Sequence, residues 1–333
     1  MTATPRARVQ RRPVHGVLLL DKPLGLSSNQ ALQKAKWLLR AEKAGHTGTL
    51  DPLATGVLPL CFGAATKFSG LHLDADKTYE ATLLLGVTTS TGDAEGEVLE
   101  RRAVPAVTPD QLEAVRQRFL GRITQVPPMH SALKKDGKAL YEYARAGIEV
   151  ERAPREVKIH ALNLTLVQNS SAQTAIEIVV TCSKGTYIRT LGEDIGQALG
   201  CGGHLTRLRR IQTGPFAIAQ CTTLEAFEAL SEADRLSHLL PAEALLPDHT
   251  TVTLSGDDAG RFLSGMRRRG AWPDAEHVAV FGDAPRALLG TAHIKAGELI
   301  PNRLLSPLEI QHILNAVPAA TAAHAPIFEE TTP

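Results

Sequence analysis

The chain has only four cysteines in 333 residues, Cys61, Cys182, Cys201 and Cys221, and none of them forms a CxxC pair. That spacing excludes a disulfide framework and a zinc knuckle, so a reducing compartment is expected. No apolar run approaches the roughly 18 to 20 residues that a membrane helix requires. The longest run near the start, Val17 to Leu20, is too short for a signal-peptide core. A cytoplasmic protein without membrane association is the expectation. A GxxxxGK(S/T) phosphate loop, a GxSxG nucleophile turn and an HExxH helix are also absent. DAEGE at 93–97 lacks the ligand spacing and closing Glu of a calcium loop, and reads as a hairpin turn. We expect no metal and no cofactor. Charge of one sign is missing too. The 36 basic and 35 acidic residues leave +1, which excludes a uniformly basic coat but not a locally basic face.

What the chain does have is the composition of a soluble globular protein, 43% hydrophobic and 21% charged, over a length that predicts two domains. Residues 1–12 carry Arg6, Arg8, Arg11 and Arg12 without an acid and read as a flexible basic arm, fit to touch polyanions or simply to solubilise. GVLLLDKP (16–23) predicts a buried strand closed by charge and Pro. SSNQALQKAKWLLR (27–40) predicts a capped helix with Leu32, Ala35, Leu38 and Leu39 at helical spacing. The Gly- and Thr-rich stretch 44–63 fits no regular period. Strands are expected at 78–86 and 96–100, helices at 108–121 and near 138–146, and a strand broken near Gly185 and followed by a helix over 175–196. We place a linker at 241–250. Beyond it, short strands separated by Gly and Pro suit a small β-barrel, and the Ala/Pro/Thr-rich 317–333 reads as a disordered tail.

Two segments carry candidate chemistry. GHTGTLDPLATG centres on Asp51, beside His46, Thr47 and Thr49, and its glycines let backbone approach a bulky ligand. On local sequence alone, Asp followed by Pro reads first as an ordinary N-cap or turn, and the surrounding glycines and polar groups favour the functional reading. TYIR (186–189) offers Tyr187 and Arg189. On a strand these would share one face, giving a ring to stack on a planar base and a fork to pair with a carboxylate. Tyr79 is a second aromatic platform, with an equally ordinary reading as a strand aromatic. Three basic runs, Arg207/Arg209/Arg210, Arg267/Arg268/Arg269 and Lys134/Lys135/Lys138, suggest a segregated phosphate-binding surface, although charge runs are usually solvated faces.

Taken together, GVLLLDKPLGLSSN (16–29), GHTGTLDPLATGVLPLCFGAATKF (45–68), DKTYE (76–80), SALKKDGKALYEYARAGIEV (131–150), CSKGTYIRT (182–190) and HLTRLRR (204–210) resemble the TruB family of tRNA pseudouridine synthases, in order and in spacing. HIKAGELIPNRLL (293–305) is similar to that family's appended PUA RNA-binding domain. The resemblance implies an α+β pseudouridine synthase fold over 13–245, with a central mixed, mainly antiparallel sheet flanked by helices and loops. It further implies an RNA-contacting insertion at 125–155 and a small PUA-like β-barrel over 250–310. By motif, Asp51 resembles the catalytic aspartate, Arg189 its paired cation, Tyr79 the ring stacked on the target base and Tyr187 a further aromatic. His46 resembles an RNA contact near the flipped base, and Leu208 an apolar wall of the uracil pocket. His130 stands where the family often has Tyr, which bears on loop contacts rather than chemistry. The implied partner is tRNA at its T-arm, bound by a monomer with no obligate protein partner.

The implied reaction, uridine to pseudouridine at position 55, breaks a glycosidic bond, turns the base and rejoins it through carbon. It needs no net redox change and no energy input, and one carboxylate with a cation and aromatic walls suffices. Two other classes share parts of this pattern. A non-catalytic RNA chaperone would need the basic surfaces but not the carboxylate and cation in one pocket. A guide-dependent pseudouridine synthase would share the Asp loop but be inactive without partners.

Overall fold

The computed structural model describes residues 10–168 and 173–316, so Arg6, Arg8 and the expected tail 317–333 lie outside the described residues. In chain order, the first half contains β1 (Gly16–Lys22), α1 (Ser28–Leu38), β2 (Ala44–His46), β3 (Ala54–Phe62), β4 (Lys77–Leu85), β5 (Val87–Thr89), β6 (Val98–Arg101), α2 (Pro109–Phe119) and β7 (Gly121–Gln125). A small hairpin and helix follow as β8 (Lys134–Lys135), β9 (Lys138–Ala139) and α3 (Leu140–Arg145). Then come β10 (Arg155–Gln168), β11 (Thr174–Cys182), α4 (Ile188–Ala198), β12 (Gly203–Thr213), β13 (Phe216–Ala217), β14 (Thr222–Thr223), α5 (Leu224–Ala229) and α6 (Glu232–Ser237). The C-terminal part holds β15 (Thr250–Leu254), α7 (Gly256–Leu263), β16 (Arg268–Arg269), β17 (Ala275–Asp283), β18 (Arg286–Lys295), β19 (Glu298–Leu304) and α8 (Pro307–Ala316).

The fold is α+β. Its main sheet runs β14-β1-β3-β12-β4-β11-β10-β7, with β2 beside β3 and β13 beside β12. Only the β1–β14 and β3–β12 pairs in it are parallel, so the sheet is mixed and mainly antiparallel, as expected. A second sheet, β15-β17-β18-β19-β16, forms the C-terminal part.

β1 and β3 explain their own near-continuous apolar sequences. Leu18 and Leu20 of β1, with Leu58, Leu60 and Phe62 of β3, enter a core beneath α1, α4 and α5. The alternate residues Val17, Leu19, Val57 and Cys61 enter a second core on the opposite face. Strands buried on both faces lose the polar alternation of a half-buried strand. The second core is shared: Ala279 and Phe281 of β17, Leu288 of β18 and Leu305 pack into it with Ala64, Ala65 and Phe68. Lys67 adds an ion pair to Glu309 of α8 at 2.5 Å and donates to the Leu304 carbonyl.

Several expectations change. The stretch 44–63 is not irregular; β2 and β3 flank a tight turn that carries Asp51. Segment 241–250, expected as a linker, is built into the protein. Ala242, Leu245 and Leu246 are buried in the shared core, and Leu240 bridges Val17. The apolar positions of PAEALLP are core residues, whose spacing follows a short 3-10 turn rather than an α-helix. Arg11 and Arg12 are also fastened rather than free: Arg11 donates to the Ala41 carbonyl, and Arg12 pairs with Glu232 at 2.8 Å.

The shared core generates a prediction. Phe281→Ala should cost about 3 to 5 kcal/mol through lost burial and the cavity left behind. Because that cavity opens between both sheets, scanning calorimetry should show one lowered transition rather than separate melting of the C-terminal part.

Candidate active site

The turn between β2 and β3 is held from several sides. Ser28, in the first turn of α1, accepts from the Leu50 N–H at 2.7 Å and donates to the Leu50 carbonyl at 3.0 Å. Gly25 N–H donates to the Pro52 carbonyl and Thr47 N–H to that of Pro59. From the far side, the buried Arg210 donates through Nε to Val57 O at 2.8 Å and through Nη2 to Gly48 O at 3.3 Å. Gly56 permits this approach. Its φ is +104°, and a Cβ there would lie 2.1 Å from the Arg210 carbonyl oxygen.

Asp51 projects from this turn with its side chain 36% exposed and meets Arg189 Nη2 at 2.8 Å. Arg189 is buried in the first turn of α4, where it also donates to the carbonyls of Thr91 (2.9 Å) and His130 (2.7 Å). A third group completes the cluster. Asp93 lies 3.6 Å from Arg189 Nε and is itself buried, accepting from the Thr91 hydroxyl and the Glu95 N–H. One cation thus lies between a buried carboxylate and a reachable one.

TYIR is not strand, as its sequence suggests, but the entry to a helix. β11 ends at Cys182; Tyr187 is the extended N-cap of α4 and Arg189 a helical residue. The pair still serves one site, because the cap turns Tyr187 out of the helix while the first turn aims Arg189 at Asp51. Gln125 fixes that geometry through two hydrogen bonds with the Tyr187 backbone. Tyr79 lies on β4 directly opposite Arg210 of β12, and Leu208 lies opposite Ala81 and Ala54. Burial raises the phenol pKa of both Tyr79 and Tyr187, and Asp51 is near enough to raise each further. His46 ends β2. Burial and then the Arg210 charge lower its pKa, and its buried Nδ1 has no hydrogen-bond partner among the described residues. The structure therefore joins Asp51 to Arg189 directly, sets Tyr79 and Tyr187 within electrostatic reach, and links His46 to the cluster through Arg210.

Other residues of the cluster escaped the sequence reading. Lys22, which closes the β1 motif, is fully buried and donates to the Pro23 and Leu26 carbonyls; burial lowers its pKa to about 8 despite the opposing pull of Asp51. Asp93, a turn residue by its sequence, faces Arg189 instead. Of the basic runs, Arg207 and Arg209 pair with Glu80 and Asp21 across the sheet while Arg210 turns inward. Arg267 and Arg269 share Glu298, and Arg268 pairs with Asp258. These six arginines are engaged internally. Lys134, Lys135 and Lys138 are exposed and make no ion pair among the described residues. No group of three or more His, Cys, Asp or Glu among the described residues could hold a metal ion.

Chemically, the site offers a single accessible carboxylate with a buried cation beside it and aromatic and apolar walls. Comparison with known proteins supplies the family. Residues 36–188 match the model of the TruB family pseudouridylate synthase N-terminal domain, and 189–247 that of the tRNA pseudouridylate synthase B C-terminal domain. The chain belongs to the TruB family. It is 69% identical to the tRNA pseudouridine synthase B of Verminephrobacter eiseniae (strain EF01-2), over 96% of this chain and 97% of that protein. It is 58% identical to the same-named protein of Ralstonia nicotianae, over 90% and 97%. Among solved structures, this TruB-family chain superposes with TM-score 0.67 on one from a Cbf5–Nop10–Gar1 complex, at 25% identity over 89% of this chain and 86% of that one. No helix among the described residues is long and apolar enough to cross a membrane.

A titratable group behind the cluster makes the site of this TruB-family chain measurable by pH. Glu193 of α4 lies against Gly92, and burial, with Asp194 and Asp93 nearby, raises its pKa from 4.5 to about 7. A carboxyl with a raised folded pKa holds its proton better when folded, so it favours the fold below about pH 4.5 and loses that contribution as pH rises through 7. Glu193→Gln should therefore raise stability at pH 8, by about 2 kcal/mol, and leave it nearly unchanged at pH 4.5. Urea midpoints at the two pH values check this, and an equal shift at both would exclude the assignment.

Proposed function

We propose that this protein isomerises uridine to pseudouridine in tRNA, at position 55 of the T-arm, with Asp51 as the catalytic carboxylate. The observation that carries the reading is the 2.8 Å contact between the accessible Asp51 and the buried Arg189, in a chain 69% identical to a tRNA pseudouridine synthase B. In the reaction the N1–C1′ bond breaks, the uracil turns, and a C5–C1′ bond forms while C5 loses its proton and N1 gains one. Electrons balance without a cofactor. Asp51 acts as nucleophile or base. Arg189 holds it in place through the 2.8 Å ion pair. Tyr79, Tyr187 and Leu208 retain the loose base, and His46 faces the RNA beside it. Taking the base out of the loop costs a few kcal/mol, offset by stacking in the pocket.

The same reading assigns the flanking parts. Segment 125–155, with its three exposed lysines on the β8–β9 hairpin, closes on the T-loop. The C-terminal sheet is a PUA-like RNA-binding module. The protein works as a cytoplasmic monomer without an obligate partner.

The pure protein, given an unmodified tRNA transcript, should form pseudouridine at one position by mass mapping. Formation only with added partners would favour a guide-dependent enzyme, and binding without formation would favour a chaperone. Asp51→Asn should reduce single-turnover formation below about a hundredth of wild type while tRNA affinity stays within a few-fold, since the amide nearly preserves shape but removes charge and nucleophilicity. Arg189→Lys should retain part of the rate, because a point charge cannot replace the planar fork that meets Asp51, Thr91 and His130 together. Full activity of either variant would exclude its assigned role.

A further inference from the structure

The N-terminal arginines and the far end of α1 remain outside the site described above. α1 starts at the Asp51 turn, through Ser28, and its eleven residues carry the chain about 16 Å away. At that end Trp37 is 54% exposed, unusual for a large ring that makes no aromatic contact among the described residues. The same helix end carries Lys36 and Arg40, Lys43 follows in the next turn, and Arg11 and Arg12 reach it from the incoming chain. Arg11 donates to the Lys36 and Ala41 carbonyls; Arg12 donates through Nε to Leu39 O and through its backbone to Arg40 O. These contacts place the basic segment on the helix end.

Charge there is unbalanced. Arg12 and Arg40 share the single carboxylate of Glu232. Arg11, Lys36 and Lys43 make no ion pair among the described residues, and Glu42 is the exposed acid between them. Five cations thus face two carboxylates, and Arg6 and Arg8 precede them in the sequence. The turn leads straight back to the site: Lys43 is followed by β2, which ends at His46 some 10 Å on. Packing does not explain this arrangement. An exposed indole on a helix end with surplus positive charge, one short strand from the Asp51 turn, matches the stacking-plus-phosphate chemistry by which proteins grip nucleic acid.

We propose that this end of α1 is a second contact for substrate RNA, with Trp37 stacking on a base or ribose outside the reacting loop and Arg11, Lys36, Arg40 and Lys43 meeting adjacent phosphates. It rests on tRNA being the substrate. The surface holds RNA and takes no part in the chemistry.

The chain has two tryptophans, so Trp272→Phe leaves Trp37 as the sole indole reporter. Titration with an unmodified full-length tRNA transcript should quench it with the same midpoint as filter binding. Trp37→Ala should weaken tRNA binding about five- to thirty-fold, and Trp37→Phe, which keeps a ring, by less than half as much on a logarithmic scale. Lys36→Ala with Lys43→Ala should flatten the log–log salt dependence by roughly 0.7 to 0.9 per lost phosphate contact. The single-turnover rate at saturating tRNA should stay at the wild-type value in all of them. A silent Trp37 at saturation, or Trp37→Ala binding within two-fold of wild type, would overturn the proposal. If the wild-type protein isomerises the transcript while Trp37 is silent, only this contact falls. If the transcript quenches Trp37 but is never isomerised, the contact stands and the catalytic reading fails.

Discussion

Everything at the site depends on keeping one guanidinium dry. Arg189 is nearly inaccessible, and a buried cation is tolerable only when its donors and its charge are matched. Asp93 supplies the permanent partner, held by Thr91 and by the backbone of its own turn, while the Thr91 and His130 carbonyls take further donors. Asp51 is thus not needed for structural neutrality alone. It can engage a substrate while the cation remains supported from behind. The segments that meet here come from four regions of the chain: the β2–β3 turn, the turn after β5, the loop after β7, and the start of α4. The Arg189 guanidinium touches each of the other three from the start of α4.

The same logic runs through the sheet beneath. Arg210 stands in β12 where strand alternation turns it inward, and it braces the turn that carries Asp51 through Gly48 and Val57. Its neighbours Arg207 and Arg209 alternate outward and find Glu80 and Asp21. Three arginines in four positions therefore do two different jobs, decided by the period of two along a strand.

That contrast marks how far the sequence could be read. The β1 strand and the α1 cap were legible from an apolar run and a helical period, whereas the mixed sheet and the Asp51–Arg189 partnership were legible only through the resemblance to the TruB family. Asp93 was not. DAEG is a sound turn sequence, and nothing local says that its carboxylate folds inward onto an arginine almost a hundred residues later. Tyr187 misled in another way: an aromatic N-cap without a capping side chain gives no start signal, so the first helical turn at Tyr187–Arg189 looked like more strand. The basic runs at 207–210 and 267–269 looked like surface because their acidic partners, Asp21, Glu80, Asp258 and Glu298, are distant or unremarkable in sequence. The segment after Leu240 looked like a linker because a 3-10 turn buries Leu245 and Leu246 without helical spacing.

The core shared between the two sheets has a kinetic and entropic consequence for a ligand as long as a nucleic acid. Modules joined by a flexible linker lose conformational freedom when both engage one ligand, and their effective concentration falls as the linker lengthens. Here Phe281 and Leu288 are welded beneath β1 and β3, and Lys67 reaches across to Glu309. The separation between the catalytic cleft and the outer faces of the C-terminal sheet is a fixed length. The frame is rigid in the manner of a caliper: a ligand long enough to span the Asp51 turn and the C-terminal sheet would find no linker to order and none to bend.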